Sequence, residues 1–331
     1  MATTFTSVVE TLMTPSLPVI LLGILIVLGA PILLHVVLAS SATYTTPPVV
    51  LLLGPSQAGK TALATLLERA GSDNAAVVDG SGGGGGGSSS TSPILAPAQT
   101  HTSQTCQAVE LNASTDSATR KSFRNRDDAS GTHTKFLLVD TPGHGKLRNV
   151  AMGRLARATG AAADKSSSGS SNNSKKLKAV VFMVDAAAVG EHDALAPTAA
   201  YLYDVLLHLQ RRASSSSSSR GKGGAVPVLI AANKMDLFTA LPATMVKAQL
   251  EAELTRIRAT RSKGLLDSGV GIDDVGGAGE DDQDCWLGEY GSEKFSFQQM
   301  GEFDIDVEVI GGSVTAEADV DKWWWWIAQR V

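Results

Sequence analysis

Cysteine is scarce in this chain. Only Cys106 and Cys285 occur, far apart and in no C-x-x-C pair, which argues against a disulfide framework and for a reducing compartment. An excess of basic charge is missing too. A formal net charge of −5 over 331 residues leaves no overall nucleic-acid footprint. Lys and Arg are absent from the first sixteen residues. A cleaved secretory signal opens on a basic region, so this absence counts against one, even though small residues ("LASSAT", 38–43) follow the apolar run.

Between Leu17 and Leu38 ("LPVILLGILIVLGAPILLHVVL") the only ionisable side chain is His35. About 22 residues at ~1.5 Å each reach roughly 33 Å, against a hydrocarbon core of about 30 Å. Gly23, Gly29 and Pro31 are tolerated in such helices. The run predicts one transmembrane helix over 17–38, after a tail (1–16) and before a linker (39–48). Neither flank is basic, so the positive-inside rule orients it weakly; Glu10 upstream suits an outside N-terminus.

The remainder, 49–331, predicts one α/β domain. Apolar runs recur at 49–53, 135–140, 179–185, 226–232 and 304–310. Most are continuous, as in parallel strands buried on both faces; the last alternates, which suits an edge. Helical patterns fall between them, at 60–70, 147–158, 195–212 and 242–261, and a helix through "VDKWWWWIAQRV" closes the chain. In the fourth, Pro242 sits in the first turn and Met245, Val246, Leu250, Leu254 and Ile257 share a face. The implied fold is a mostly parallel sheet with helices on both faces. Segments near 79–92, 164–174, 213–224 and 267–284 are rich in Gly, Ser or Asp and read as disordered loop insertions. Four successive Trp (323–326) occupy a whole helical turn, so two are expected on the sheet and the others outward. Lys247, Arg256, Arg258, Arg261 and Lys263 read first as a solvated helix face, with contact to lipid headgroups or ribosome as the second reading.

Three motifs carry chemistry. Gly54-Pro55-Ser56-Gln57-Ala58-Gly59-Lys60-Thr61, followed by Ala62, matches G-x-x-x-x-G-K-[ST] between a strand and a helix. Such a loop turns its N–H groups onto phosphate, helped by the helix N-terminus. Lys60 would bridge phosphate oxygens and the Thr61 hydroxyl would ligate Mg²⁺. Asp140-Thr141-Pro142-Gly143 matches the D-x-x-G of P-loop GTPases: Asp140 for Mg²⁺, the Gly143 N–H for the γ-phosphate. His144 follows, where many GTPases place a Gln to orient water; with no evident built-in Arg finger, slow hydrolysis is expected. Asn233-Lys234-Met235-Asp236 matches N-K-x-D. The Asp236 carboxylate can accept from guanine N1 and N2, donors that adenine lacks, and a site built on such bonds rejects the wrong base by roughly 10⁴. Asn233 would tie this loop to the P-loop and the Lys234 stem would flank the ring. Ser313 and Val314 sit where a short turn offers backbone N–H to the base. In "HTSQT" (101–105), Thr102, Ser103 and Thr105 all qualify as the first-switch ligand to Mg²⁺.

These residues, with the span directly before the P-loop, resemble one family. The ordered set "HTSQT", "DTPGHGKLR", "VVFMVDAAA", "LIAANKMD", "EKFSFQQM" and "DKWWWWIAQ" is similar to the β subunit of the signal recognition particle receptor, an Arf-like GTPase of the endoplasmic reticulum membrane. The resemblance implies a Ras/Arf-like G domain binding GTP/GDP and Mg²⁺; because GTP is plentiful in the cytosol, that domain is expected to face it. It also implies a partner, the N-terminal domain of the receptor α subunit, near ribosome and translocon, with Thr102 to Thr105 and His144 to Arg148 forming much of the contact. No sequence-specific nucleic-acid contact is implied. Two rival readings stand beside it. One is an Arf-like switch in vesicle traffic, although Ala2 occupies the position where myristoylation needs glycine. The other is a scaffold that holds GTP with little turnover.

Overall fold

The computed structural model describes residues 47–70, 100–113, 134–159, 177–216, 226–267 and 286–331, with scattered positions between 20 and 32. The chain divides into two compact units, Met1–Thr46 and Pro47–Val331. In the first, the described positions are helical, and Ile20, Leu25, Val27, Leu28 and Ile32 are exposed. Most of the expected span lies outside the described residues, as do the tail and the linker up to Thr46. Among the described residues no helix is long and apolar enough to cross a membrane.

In the second unit the order is β1 (Val49–Leu53), α1 (Lys60–Ala70), β2 (Gln107–Ala113), β3 (Thr134–Asp140), α2 (Arg148–Ala158), β4 (Leu177–Asp185), α3 (His192–Ser216), β5 (Val228–Asn233), α4 (Ala243–Asp267), β6 (Val307–Gly311) and α5 (Glu317–Ala328). The strands form one sheet in the order β2-β3-β1-β4-β5-β6. All neighbours run parallel except β2, which pairs antiparallel with β3, Gln107 opposite Asp140. The expected edge strand is β6, although it begins at Val307 rather than residue 304.

Alternate residues of β1 explain the two layers. Val49, Leu51 and Leu53 face a core built with Leu155, Tyr201, Leu206, Val246, Leu250 and Leu254 of α2, α3 and α4. Val50 and Leu52 face the other, with Leu63 and Leu67 of α1 and Val320, Trp323 and Ile327 of α5. All five β1 side chains are buried, and each such burial contributes about 1.5–3 kcal/mol. Because β1 lies between β3 and β4, successive connections depart to opposite sides there. A crevice opens at the carboxyl ends of the strands, where ligands of open α/β sheets bind.

Several expectations are corrected. The strand β2 went unforeseen. Met245 is 48% exposed, because it lies about 100° round the helix from Val246 and leaves the Val246–Leu250–Leu254 stripe. Three of the four Trp are buried, not two: Trp323, Trp324 and Trp326. At ~100° per residue these three fit an arc of roughly 160°, which one sheet face can cover. Arg258 is not on a solvated face. It is buried, donates to Leu287 O at 3.2 Å, Ser292 Oγ at 3.0 Å and Ser292 O, and stacks over Trp286 at 4.5 Å. Arg261 pairs with Asp204 at 2.9 Å. Of the four insertions, 79–92, 164–174 and most of the other two lie outside the described residues, but α3 runs to Ser216, into the serine stretch.

Candidate functional site

The loop after β1 closes on itself around a small cleft. Lys60, 5% exposed, opens α1, and its Nζ donates to the carbonyls of Gly54 (2.9 Å) and Pro55 (2.7 Å). Gly143 touches the same place. A Cβ there would lie 2.4 Å from Lys60 Nζ and 2.6 Å from Pro55 O, so only glycine lets the β3 loop approach. Gly59 is equally constrained: φ is 98°, and a Cβ would sit 2.2 Å from Asn233 Nδ2. Ser56, Gln57, Gly59, Lys60, Thr61, Ala62, Thr100, His101, Thr102, Ser103 and Gly143 line the cleft, whose volume is about 140 Å³. Ala58 is buried beneath it.

Beside the cleft the Thr61 hydroxyl donates to Asp140 Oδ2 at 2.7 Å. Asp140 is 1% exposed, and its Oδ1 has no hydrogen-bond partner among the described residues. Burial raises the Asp140 pKa, against the Thr61 hydrogen bond and the Lys60 charge. Burial likewise lowers the Lys60 pKa to about 8, with Asp140 opposing. A buried cation whose hydrogen bonds among the described residues go to carbonyls and a buried carboxylate with an orphaned oxygen are both under-compensated. Lys60 can take up a polyanion and Asp140 a divalent cation. The buried oxygen beside a hydroxyl fits Mg²⁺, which takes one or two carboxylates together with phosphate oxygens.

A second cluster sits at the ends of β5 and β6. Asn233 joins it to the first: its Nδ2 donates to Ala58 O at 2.8 Å, and its Oδ1 accepts from the Val314 N–H at 3.0 Å. Lys234 has φ of 65°, and its ammonium meets Asp185 Oδ2 at 2.6 Å. Asp236 is exposed, and its Oδ1 accepts from the Ser313 hydroxyl at 2.6 Å. The N–H groups of Ser313 and Val314 are already taken, the former by Asp319 Oδ2 at 3.2 Å. Ser313 therefore acts here through its hydroxyl on Asp236.

Two expected residues stand apart. His144 does not line the cleft; it is exposed, caps a short 3-10 turn (Gly145–Leu147), and its Nδ1 accepts from the Lys146 N–H at 3.2 Å. Thr105 is exposed and does not line the cleft either. Of the "HTSQT" candidates, Thr102 and Ser103 line it, and Ser103 is the one whose hydroxyl lowers the Asp140 pKa. Asp185 and Asp319 were missed. The signal for Asp185 was present: an acid ending the buried run "VVFMVD", where a strand delivers its last side chain to the crevice.

Comparison with known proteins gives one family. The family model described as signal recognition particle receptor beta subunit matches residues 164–303. The signal recognition particle receptor subunit beta of Saccharomyces cerevisiae is 34% identical over 138 residues, 42% of this chain and 44% of the relative. Its Mus musculus counterpart is 34% identical over 127 residues, 38% of this chain and 36% of the relative. The matched stretch thus spans less than half the length of both relatives. Two Chaetomium thermophilum structures are similar across far more. The receptor SRb-GTP/SRX complex gives 42% identity and a TM-score of 0.62, covering 86% of this chain and 100% of that one. The receptor SRb-GDP-Mg structure gives 38% identity and a TM-score of 0.54, covering 88% and 100%.

Proposed function

Because the chain belongs to the family of signal recognition particle receptor β subunits, we propose that it is the membrane-anchored, GTP-binding regulatory subunit of that receptor. In this reading the 17–38 segment holds it in the endoplasmic reticulum membrane with the C-terminal domain in the cytosol. Its GTP-bound form recruits the α subunit, through that subunit's N-terminal domain, for co-translational targeting near ribosome and translocon. The observation that carries the nucleotide part is Asn233. One buried amide links the phosphate loop at Ala58 to the base-reading turn at Val314, so phosphate and guanine are read by one rigid unit. The relatives support the ligand and the partner: one was solved as a GTP/SRX complex, another with GDP and Mg.

The residues divide the work. Lys60 exchanges two carbonyls for phosphate oxygens, and the N–H groups of Gln57 to Ala62 cradle the phosphates. Thr61 and Asp140 would hold Mg²⁺, which when bound neutralises phosphate charge, and the Gly143 N–H would face the γ-phosphate. Asp236 takes the guanine edge and the Lys234 stem one face of the ring. His144 stands outside the cleft with Nδ1 occupied, which leaves only Nε2 for a water and supports slow intrinsic hydrolysis. The same observation supports the companion reading, a GTP-holding scaffold with little turnover.

The test is affinity capture with detergent-solubilised protein loaded with GTP or GDP. Recovery of the receptor α subunit in the GTP state is expected, and its absence overturns the assignment. Single-turnover hydrolysis with and without that partner separates switch from scaffold.

A further inference from the structure

The turn from β6 into α5 is braced from both sides. Its Thr315 N–H meets Ser313 Oγ at 3.2 Å and its Val314 N–H meets Asn233, so the base-reading side is fixed from β5. The other side rests on the closing helix. Asp319, in the first turn of α5, accepts the Ser313 N–H on Oδ2 at 3.2 Å, while Lys322 holds its Oδ1 at 2.7 Å. The backbone is pressed against this helix: a Cβ on Gly312 would lie 2.7 Å from Asp319 Cβ and 3.1 Å from Trp323 Cζ2. Trp323 itself, fully buried, donates its Nε1 to Ile310 O at 3.2 Å.

We infer that Asp319 is a positioning residue for base recognition, acting through Ser313 on Asp236; this rests on the nucleotide reading above. The Ser313 hydroxyl, which also meets Thr315 Oγ1 at 2.6 Å, is aimed at Asp236 by its peptide plane, and the carboxylate of Asp319 holds that plane by its N–H. A charge-assisted bond of this kind is stronger than one to water or to a neutral group. The chain of contacts runs Asp319, Ser313, Asp236, and it makes the tryptophan-rich helix part of the base site.

The experiment measures GDP, IDP and ADP affinity of the full chain in detergent. IDP lacks the 2-amino group, so the GDP/IDP ratio reports how well Asp236 is aimed. Asp319→Ala is expected to lower that ratio about tenfold, the scale of one hydrogen bond to a charged group. Asp319→Asn keeps an acceptor oxygen and is expected to retain most of the ratio, which guards against misfolding of the alanine variant. Because the effect passes through Ser313, the double variant with Ser313→Ala should lose no more than Ser313→Ala alone. Equal weakening of GDP and IDP by Asp319→Ala, or additive losses in the double variant, overturns the inference. If the unmodified chain does not prefer GDP to ADP, the nucleotide reading falls and the inference with it. If it does, and Asp319→Ala keeps its GDP/IDP ratio, only the inference falls.

Discussion

Lys60 holds its charge buried against two carbonyls, largely away from water. Its pKa of about 8, against 10.5 for an ordinary lysine, records that cost. The nucleotide-free protein binds fewer protons than its unfolded chain between those two values, so its stability should rise with pH across that window. Nucleotide affinity should move the other way. Below pH 8 the ammonium is already charged and binding is flat. Above it, binding must draw in a proton, and affinity falls by up to about tenfold per pH unit. Calorimetry of GDP binding at pH 8.5 to 9 in buffers of different ionisation enthalpy should show net proton uptake. No uptake would mean that Lys60 does not meet phosphate. Asp236 makes a separate prediction. Asp236→Asn replaces an acceptor by a donor at the base edge, so preference for GDP over ADP should fall by about 10² or more, toward the ~10⁴ scale of such discrimination. An unchanged preference in competition binding would remove Asp236 from base recognition.

The closing helix shows how an element is specified by arc rather than by count. Trp323, Trp324, Trp326 and Ile327 form its inner face, with Trp326 Nε1 donating to Glu308 Oε2 at 2.7 Å. Trp323→Ala should cost about 3–5 kcal/mol, the range for large-to-small changes in a core. Trp325→Ala, at a part-exposed position, should cost under about 1 kcal/mol. Equal costs in denaturant unfolding would show that the helix docks by another face. The same logic decides what could be read ahead of the structure. β1, β3, β4 and β5 are legible because burial makes them continuous apolar runs, and β1, β3 and β5 each lead into a site motif. β2 is not: "QAVELNA" is an edge strand with its first four residues largely exposed, so neither its composition nor its pattern separates it from a loop. Arg258 was misread for a related reason. A helix's polar face is taken as solvated unless something covers it, and its cover, Trp286 to Ser292, comes from nearly thirty residues further on. The P-loop, D-x-x-G and N-K-x-D residues were legible because their function depends on neighbours in sequence. Asp185 is marked only by its place at the end of a buried run, and its partner Lys234 is brought close by the sheet; Asp319 meets the Ser313 N–H through the turn into α5, and no local motif marks it.

At the scale of the whole molecule, topology separates entry from site. Pro47 and Pro48 lead into the amino end of β1, and the cleft lies beyond its carboxyl end, about 17 Å away at ~3.3 Å per residue. β3, β4, β5 and β6 run the same way, so each begins at the entry end and finishes at the end of the sheet that carries the cleft and the second cluster. The chain leaves the described residues after α2 and α3 and rejoins them at Leu177 and Val226. Leu177 starts β4 and Val226 leads into β5, so both of these junctions lie at the entry end, whereas the chain that carries the 79–92 insertion rejoins the described residues at Thr100, in the cleft lining. Residues 47–331 contain the whole sheet, both cores and every residue that lines the cleft, so they should fold alone and bind GDP within about threefold of the full chain, a change of under ~0.7 kcal/mol. In flotation with liposomes the full chain should rise with lipid, and residues 47–331 should stay in the dense fractions. Flotation of the shorter piece would place membrane attachment in the nucleotide-binding domain and overturn the anchor at 17–38. Loss of GDP binding by that piece would show that Met1–Thr46 contributes to the site.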